Sequence, residues 1–356
     1  MAARVVHTLC RGDGVTRASE GAFLRLKDGR ILFAYCRFSG AGPGYDDDAC
    51  DIYCILSGDE GESWTENFPL VRASEFGVRN IMSVSLMRMQ NGDLGVFFLI
   101  KENDGSSTVM LGRSRDEGKS FYRYVPCTIK ERRAYYVINN DRIERLADGR
   151  LLMPLAYHRS GFVDGKRPFT DWKSIAVILI SDDDGESWHE ARDLVYPPFQ
   201  DSDTGLQEPG VIQLKNCLFL YARTDKLCQY GAYSYDGGEH WTTAFPTVFS
   251  SPASPLKIAR DPADGALYAV WNPIPNYFGR EIVPGCGGRT PLVYAVSRDE
   301  AVSWSAPKVI EDDPFSGYCY PALFFTKDRQ LLLSYCAGGK GDLHCLTRTN
   351  ISKIAL

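Results

Sequence analysis

Tyr320, Glu208 and the acidic pair Asp46 and Asp47 are residues whose types could together carry covalent chemistry. A tyrosine is a weak nucleophile near neutral pH because its pKa lies near 10. A carboxylate beside it could accept its proton and activate it. An acid on a surface loop could then protonate a leaving group. Arg37, Arg142, Arg223 and Arg289 could clamp a carboxylate on the substrate through paired N–H bonds. A tyrosine nucleophile suits an anionic reaction centre, because a carboxylate nucleophile would be repelled by the substrate's own charge.

The elements that must position these residues are repeats. Five stretches follow one pattern, Ser-x-Asp-x-Gly-x-Ser/Thr-Trp: SGDEGESW from Ser57, SRDEGKSF from Ser114, SDDDGESW from Ser181, SYDGGEHW from Ser234 and SRDEAVSW from Ser297. Between them lie apolar runs broken by a tight turn, such as FLRLKDGRILFAY from Phe23 and LMRMQNGDLGVFF from Leu86. Asp-Gly and Asn-Gly between alternating apolar runs signal hairpins. Weaker copies at VIQLKNCLFLYAR, ARDPADGALYAVW and LFFTKDRQLLLSY bring the hairpins to six. One hairpin and one box per repeat make a four-stranded antiparallel sheet. The expected fold is all-β, a six-bladed propeller forming one domain over residues 1–356. The sixth repeat lacks a box, so its outer strand is expected from Val5 to Leu9. The box reads as a fold element: Gly frees the turn, Asp and Ser bond its backbone, and Trp packs inward.

Counting nine residues back from the hairpin glycine position gives one slot at the start of each inner strand. It holds Glu20, Ser83, Asn140, Glu208 and Tyr320, with the fifth repeat irregular. A ring of varied polar groups among apolar strands reads as a binding site. Arg142, two residues past Asn140, is expected to share its inward side.

Net charge is −5 without a basic block, which argues against nucleic acid and anionic membranes as partners. The 11 cysteines lack zinc-site spacing and read as free, mostly buried thiols. The start MAARVVHTLCRGDG lacks the apolar core of a secretory leader, so a cytoplasmic protein is expected. A Ser/His/Asp triad is disfavoured, since His189 and His240 lie in or beside boxes. His158 ends an inner hairpin and could line a pocket. No metal and no cofactor are expected.

The boxes, the repeat count and the residue order resemble the sialidase superfamily, the Asp-box or BNR-repeat proteins. The resemblance spans nearly the whole chain, and uncharacterised bacterial members with Ser-Glu-Gly in the place of Ser19–Gly21 resemble it more closely than true sialidases do. It implies that Tyr320 in YPALFF is the nucleophile, with Tyr318 the fallback, and that Glu208 in QEPGVIQL activates it. It implies an acid/base in GYDDDACDIY, Asp46 before Asp47, and carboxylate-binding roles for Arg223 and Arg289, with Arg37 nearby. The expected substrate is a terminal sialic acid or related acidic sugar on a glycoconjugate, cleaved with retention. The chain departs from the family where an Arg-Ile-Pro motif opens the first blade: SEGAF puts Ser19 there, with Arg17 and Arg142 as candidate replacements. Losing one charge-assisted contact costs roughly 1.5–3 kcal/mol. Glu20 in this altered segment keeps a different glycosidase or a polysaccharide lyase open, and a carbohydrate-binding propeller without turnover is the remaining alternative. Oligomeric state is not legible.

Overall fold

The computed structural model describes residues 3–12, 14–103, 105–129, 134–163, 167–274 and 285–356. Among these the chain is all-β, with one short 3-10 turn at Ala73–Phe76. Two compact units emerge: Met1–Arg72 with Phe249–Leu356, and Ala73–Val248.

In the first unit, Cys319–Phe325, Gln330–Cys336 and Thr349–Ala355 form a meander, and Arg4–Leu9 pairs onto its last strand. The register sets Arg4 opposite Lys353 and Leu9 opposite Thr349. Lys257–Arg260, Leu267–Trp271, Leu292–Ser297 and Lys308–Glu311 form a second meander. Val15–Arg25, Ile31–Ser39, Cys50–Ser57 and Phe68–Val71 pair in the same succession. In the second unit, Asn80–Arg88, Leu94–Asn103, Ser106–Ser114 and Arg123–Pro126 pair in turn. Leu151–His158 pairs with Ile175–Ser181 on one side and with the short Tyr135–Val137 and Glu144–Arg145 on the other. Gln207–Gln213, Leu218–Arg223, Cys228–Ser234 and Phe245–Ser250 complete the set.

The sheets do not divide into six four-stranded blades. Four sheets stand apart as propeller-like blades where six were expected. The outer strand Phe68–Val71 is only four residues long and covers only Ile52 to Cys54 of its neighbour, so it closes off that sheet incompletely.

The boxes repeat one hydrogen-bond pattern. Ser57 Oγ donates to Asp59 Oδ1 (2.8 Å) and accepts from Gly61 N (2.8 Å), while Asp59 accepts from Ser63 N (2.9 Å) and Ser63 Oγ (2.5 Å). The same set recurs about Asp116 and Asp183, and about Asp299 with Ala301 in the glycine place. At Asp236 the partner is His240 Nδ1, at 2.6 Å. Bonds from Ser63, set against burial, hold Asp59 down at about 2, and bonds from Ser120 do the same for Asp116. The residue after the box Asp is left-handed at Glu60, Glu117, Asp184 and Glu300. An inner-strand arginine meets each: Arg25, Arg88, Arg145 and Arg260, at 2.6–2.8 Å. Trp188 and Trp241 donate to the carbonyls of Gly185 and Gly238. The box is thus a fold element. All eleven cysteines are free, and eight are buried.

Candidate active site

The slot found by counting is a backbone device. The ladders slip between Ser19 and Ala22, Met82 and Ser85, Gln207 and Gly210, and Cys319 and Ala322. At each slip one non-glycine residue is left-handed: Glu20 (φ 53°), Ser83 (59°), Glu208 (46°) and Tyr320 (56°). A bulge turns one side chain away from the strand's alternation, and a left-handed L-residue costs about 1–2 kcal/mol. Conserving that cost at four equivalent places while varying the side chain marks a place where side-chain identity matters.

The third repeat differs from the count. There the left-handed residue is Asp141 (φ 56°), one past Asn140. The inner strand is reduced to Glu144–Arg145, and the Asp141 amide donates instead to the Val84 carbonyl (3.1 Å). Asn140 is buried, its amide bonded to Asn139 Oδ1 (2.7 Å). After Glu20 and Glu208 the chain needs glycine for space. A Cβ on Gly21 would fall 2.0 Å from the Phe33 ring, and one on Gly210 2.4 Å from that of Tyr221.

The first unit holds two clusters. Arg17, only 1% exposed, pairs with Glu20 and, at 2.6 Å, with Asp46. Its Nε donates to Ser19 Oγ (2.7 Å), and its guanidinium lies 4.3 Å from the Phe38 ring centre. Burial works to lower the Arg17 pKa, but the charges of Asp46 and Glu20 outweigh it and the pKa is raised. Asp46 is 58% exposed, so the buried arginine holds one edge of a carboxylate that otherwise faces solvent. Asp47 is exposed, and Asp48 instead braces the loop by accepting from Gly44 N (2.8 Å) and Tyr45 N (2.9 Å). Arg37 stacks on Tyr53 at 4.6 Å.

The second cluster joins Arg289 to Tyr320, guanidinium to ring centre 5.7 Å. Arg289 also reaches Cys319 Sγ (3.2 Å), Cys345 Sγ (3.8 Å) and the Ala253 carbonyl (3.1 Å). Cys286, Cys319, Cys336 and Cys345 form a buried thiol bed against which Tyr320 packs. Burial pushes the Cys286 thiol up to about 11 and the Cys319 thiol up to about 12, so these thiols are neutral. Tyr318 is 3% exposed, packed in the core beside Tyr335 and pushed up to about 12 by burial. It is a core residue.

In the second unit, Glu208 and Arg223 pair at 2.9 Å, both largely buried. His158 is buried, with Nδ1 3.1 Å from the Asp171 carbonyl. Burial lowers its pKa, and the charges of Glu208 and Arg223 reach it with opposite effects. Arg142 is buried against Tyr221. Its Nη1 donates to Tyr221 Oη (3.1 Å), and its guanidinium lies over that ring.

Sequence reasoning missed Asp141 and the two-carboxylate grip of Arg17. The first had a faint signal, since Glu20, Glu208 and Tyr320 each precede Gly or Pro and Asn140 does not. Among the described residues no group of His, Cys, Asp and Glu could hold a metal ion, and no helix is long and apolar enough to cross a membrane.

Residues 22–345 match the BNR repeat-like domain family, and the chain belongs to it. No curated protein matches the sequence. Among solved structures, a protein of unknown function from Dyadobacter fermentans is similar at TM-score 0.72 and 17% identity, covering 99% of both chains. The NanB sialidase of Streptococcus pneumoniae is similar at TM-score 0.71 and 12% identity, covering 100% of this chain and 71% of that one. A leech intramolecular trans-sialidase, complexed with 2,7-anhydro-Neu5Ac, is similar at TM-score 0.72 and 13% identity, covering 100% and 70%. The fold is therefore sialidase-like.

Proposed function

We propose that this chain is a retaining exo-glycosidase of sialidase type that removes a terminal acidic sugar from a glycoconjugate. The observation that carries the reading is the shared slot: Tyr320 and Glu208 occupy equivalent left-handed bulges, each beside an arginine, Arg289 and Arg223. In this reading the six repeats are the six blades of a propeller. Tyr320 is the nucleophile and Glu208 draws its proton. Asp46, with Asp47 as its neighbour, protonates the leaving oxygen and later activates water. Arg223 and Arg289 bind the substrate carboxylate, while Arg37, Arg142, Glu20 and Asn140 line the pocket. The neutral thiols favour a reducing, cytoplasmic setting.

A narrower reading of the substrate follows from Arg17. Both its charge-assisted contacts go to carboxylates of the chain itself, so it makes a poor substitute for the family's first-blade arginine. That favours an acidic sugar other than ordinary sialic acid, hydrolysed or eliminated. Hydrolysis of a fluorogenic sialoside, with Tyr320→Phe as control, is the direct test. Turnover that collapses in Tyr320→Phe establishes the sialidase. No turnover by a folded protein rejects sialic acid, and nonulosonic and uronic glycosides come next. A product absorbing in the ultraviolet would identify a lyase.

A further inference from the structure

The loop that presents Asp46 also presents Tyr45, which the mechanism leaves without a task. Tyr45 is 63% exposed, unusual for a large ring that is also held in place. Its ring stacks on His344, centroids 5.9 Å apart and planes 29° from parallel. Both partners are fixed. Asp48 accepts from the Gly44 and Tyr45 amides, and Arg17 holds Asp46 from the other side. His344 Nδ1 accepts from Leu346 N (3.2 Å), so its Nε2 is the nitrogen that donates to the Pro43 carbonyl (3.3 Å). That assigns a neutral imidazole, consistent with the lowering of its pKa by burial and by Arg17.

We propose that Tyr45, backed by His344, is the platform on which the leaving-group sugar of the substrate rests. This builds on the reading of Asp46 as the acid. The acid must lie beside the bond it protonates, so the neighbouring residue on a braced loop faces the group that departs. An exposed aromatic face takes the apolar face of a pyranose ring. The occupant is a neutral sugar, because Asp46 and Asp47 follow Tyr45 on the same loop and would repel a second carboxylate.

Saturation-transfer NMR with lactose as the neutral probe tests the platform without turnover. The expected result is transfer from aromatic protons to the lactose ring protons in the unaltered protein. It should weaken about tenfold or more in Tyr45→Ala and persist in Tyr45→Trp, as loss of a binding contact predicts. Absent transfer in the unaltered protein, or transfer undiminished in Tyr45→Ala, overturns the proposal. If sialosides are turned over, sialyllactose adds a second readout: Tyr45→Ala should raise KM with kcat little changed. Lactose contact through Tyr45 without turnover of any acidic glycoside would sink the glycosidase reading, and with it the leaving-group role, and leave Tyr45 as a sugar-binding residue only.

Discussion

Two sets of left-handed residues share one backbone conformation and differ in almost everything else. At the boxes, Glu60, Glu117, Asp184 and Glu300 are all acidic, and each is met by an arginine of an inner strand. At the slots, Glu20, Ser83, Asp141, Glu208 and Tyr320 differ from repeat to repeat. Where strain serves the fold, one solution recurs, because each of these four boxes makes the same turn. Where the side chain varies at constant strain, the bulge is a holder and the residue it holds has an individual task. Family membership explains the first set, and chemistry is needed for the second.

The largest expected effect lies in the slots. Tyr320→Phe removes a single oxygen and should lower kcat by about 10³–10⁴-fold on the true substrate, with little change in melting temperature. A loss of stability instead would make the tyrosine a packing residue and erase the contrast. Arg17→Met removes the guanidinium that pairs with the buried Glu20 carboxylate and should destabilise by about 3–5 kcal/mol, read by denaturant titration. Pairing it with Glu20→Gln should recover much of that loss, since the buried charge goes too.

The boxes predict an acid limit. Asp59 and Asp116 fall from 3.8 to about 2 on folding, so the folded state binds fewer protons than the unfolded one. Their contribution is complete above about pH 4 and is lost as pH falls toward about 2. Melting temperature followed over that range should drop, and less so in Asp59→Asn. The smallest effect should be a gain. Ala301 stands left-handed (φ 65°) where other boxes have glycine, and Ala301→Gly should stabilise by about 0.5–1 kcal/mol. A loss there would mean that the alanine methyl packs well enough to outweigh its strain.

Hairpins, boxes and four of the slots were legible because they are local: turn chemistry and period-2 alternation need only a dozen residues. Counting from the hairpin located Tyr320, Glu208, Glu20 and Ser83. It failed at Asn140, because the count assumes an unbroken inner strand and that strand is two residues long. The Arg17–Asp46 pair spans 29 positions through an irregular loop, and no periodicity carries such a contact. The division into two units was also invisible, since the same repeats build both.

The pairing of Arg4–Leu9 with Thr349–Ala355 bears on the order of assembly during synthesis. Ala73–Val248 is one continuous stretch and can collapse as soon as it has left the ribosome. The other unit takes its strands from both sides of that stretch, and its first strand has no ladder until residues 349–355 are made. For most of translation Arg4–Leu9 is an unpaired edge waiting for a partner more than three hundred residues away, a long interval in which misassembly competes. A ribosome stalled before Thr349 should therefore hold a nascent chain whose early residues remain open to protease while residues 73–248 resist it.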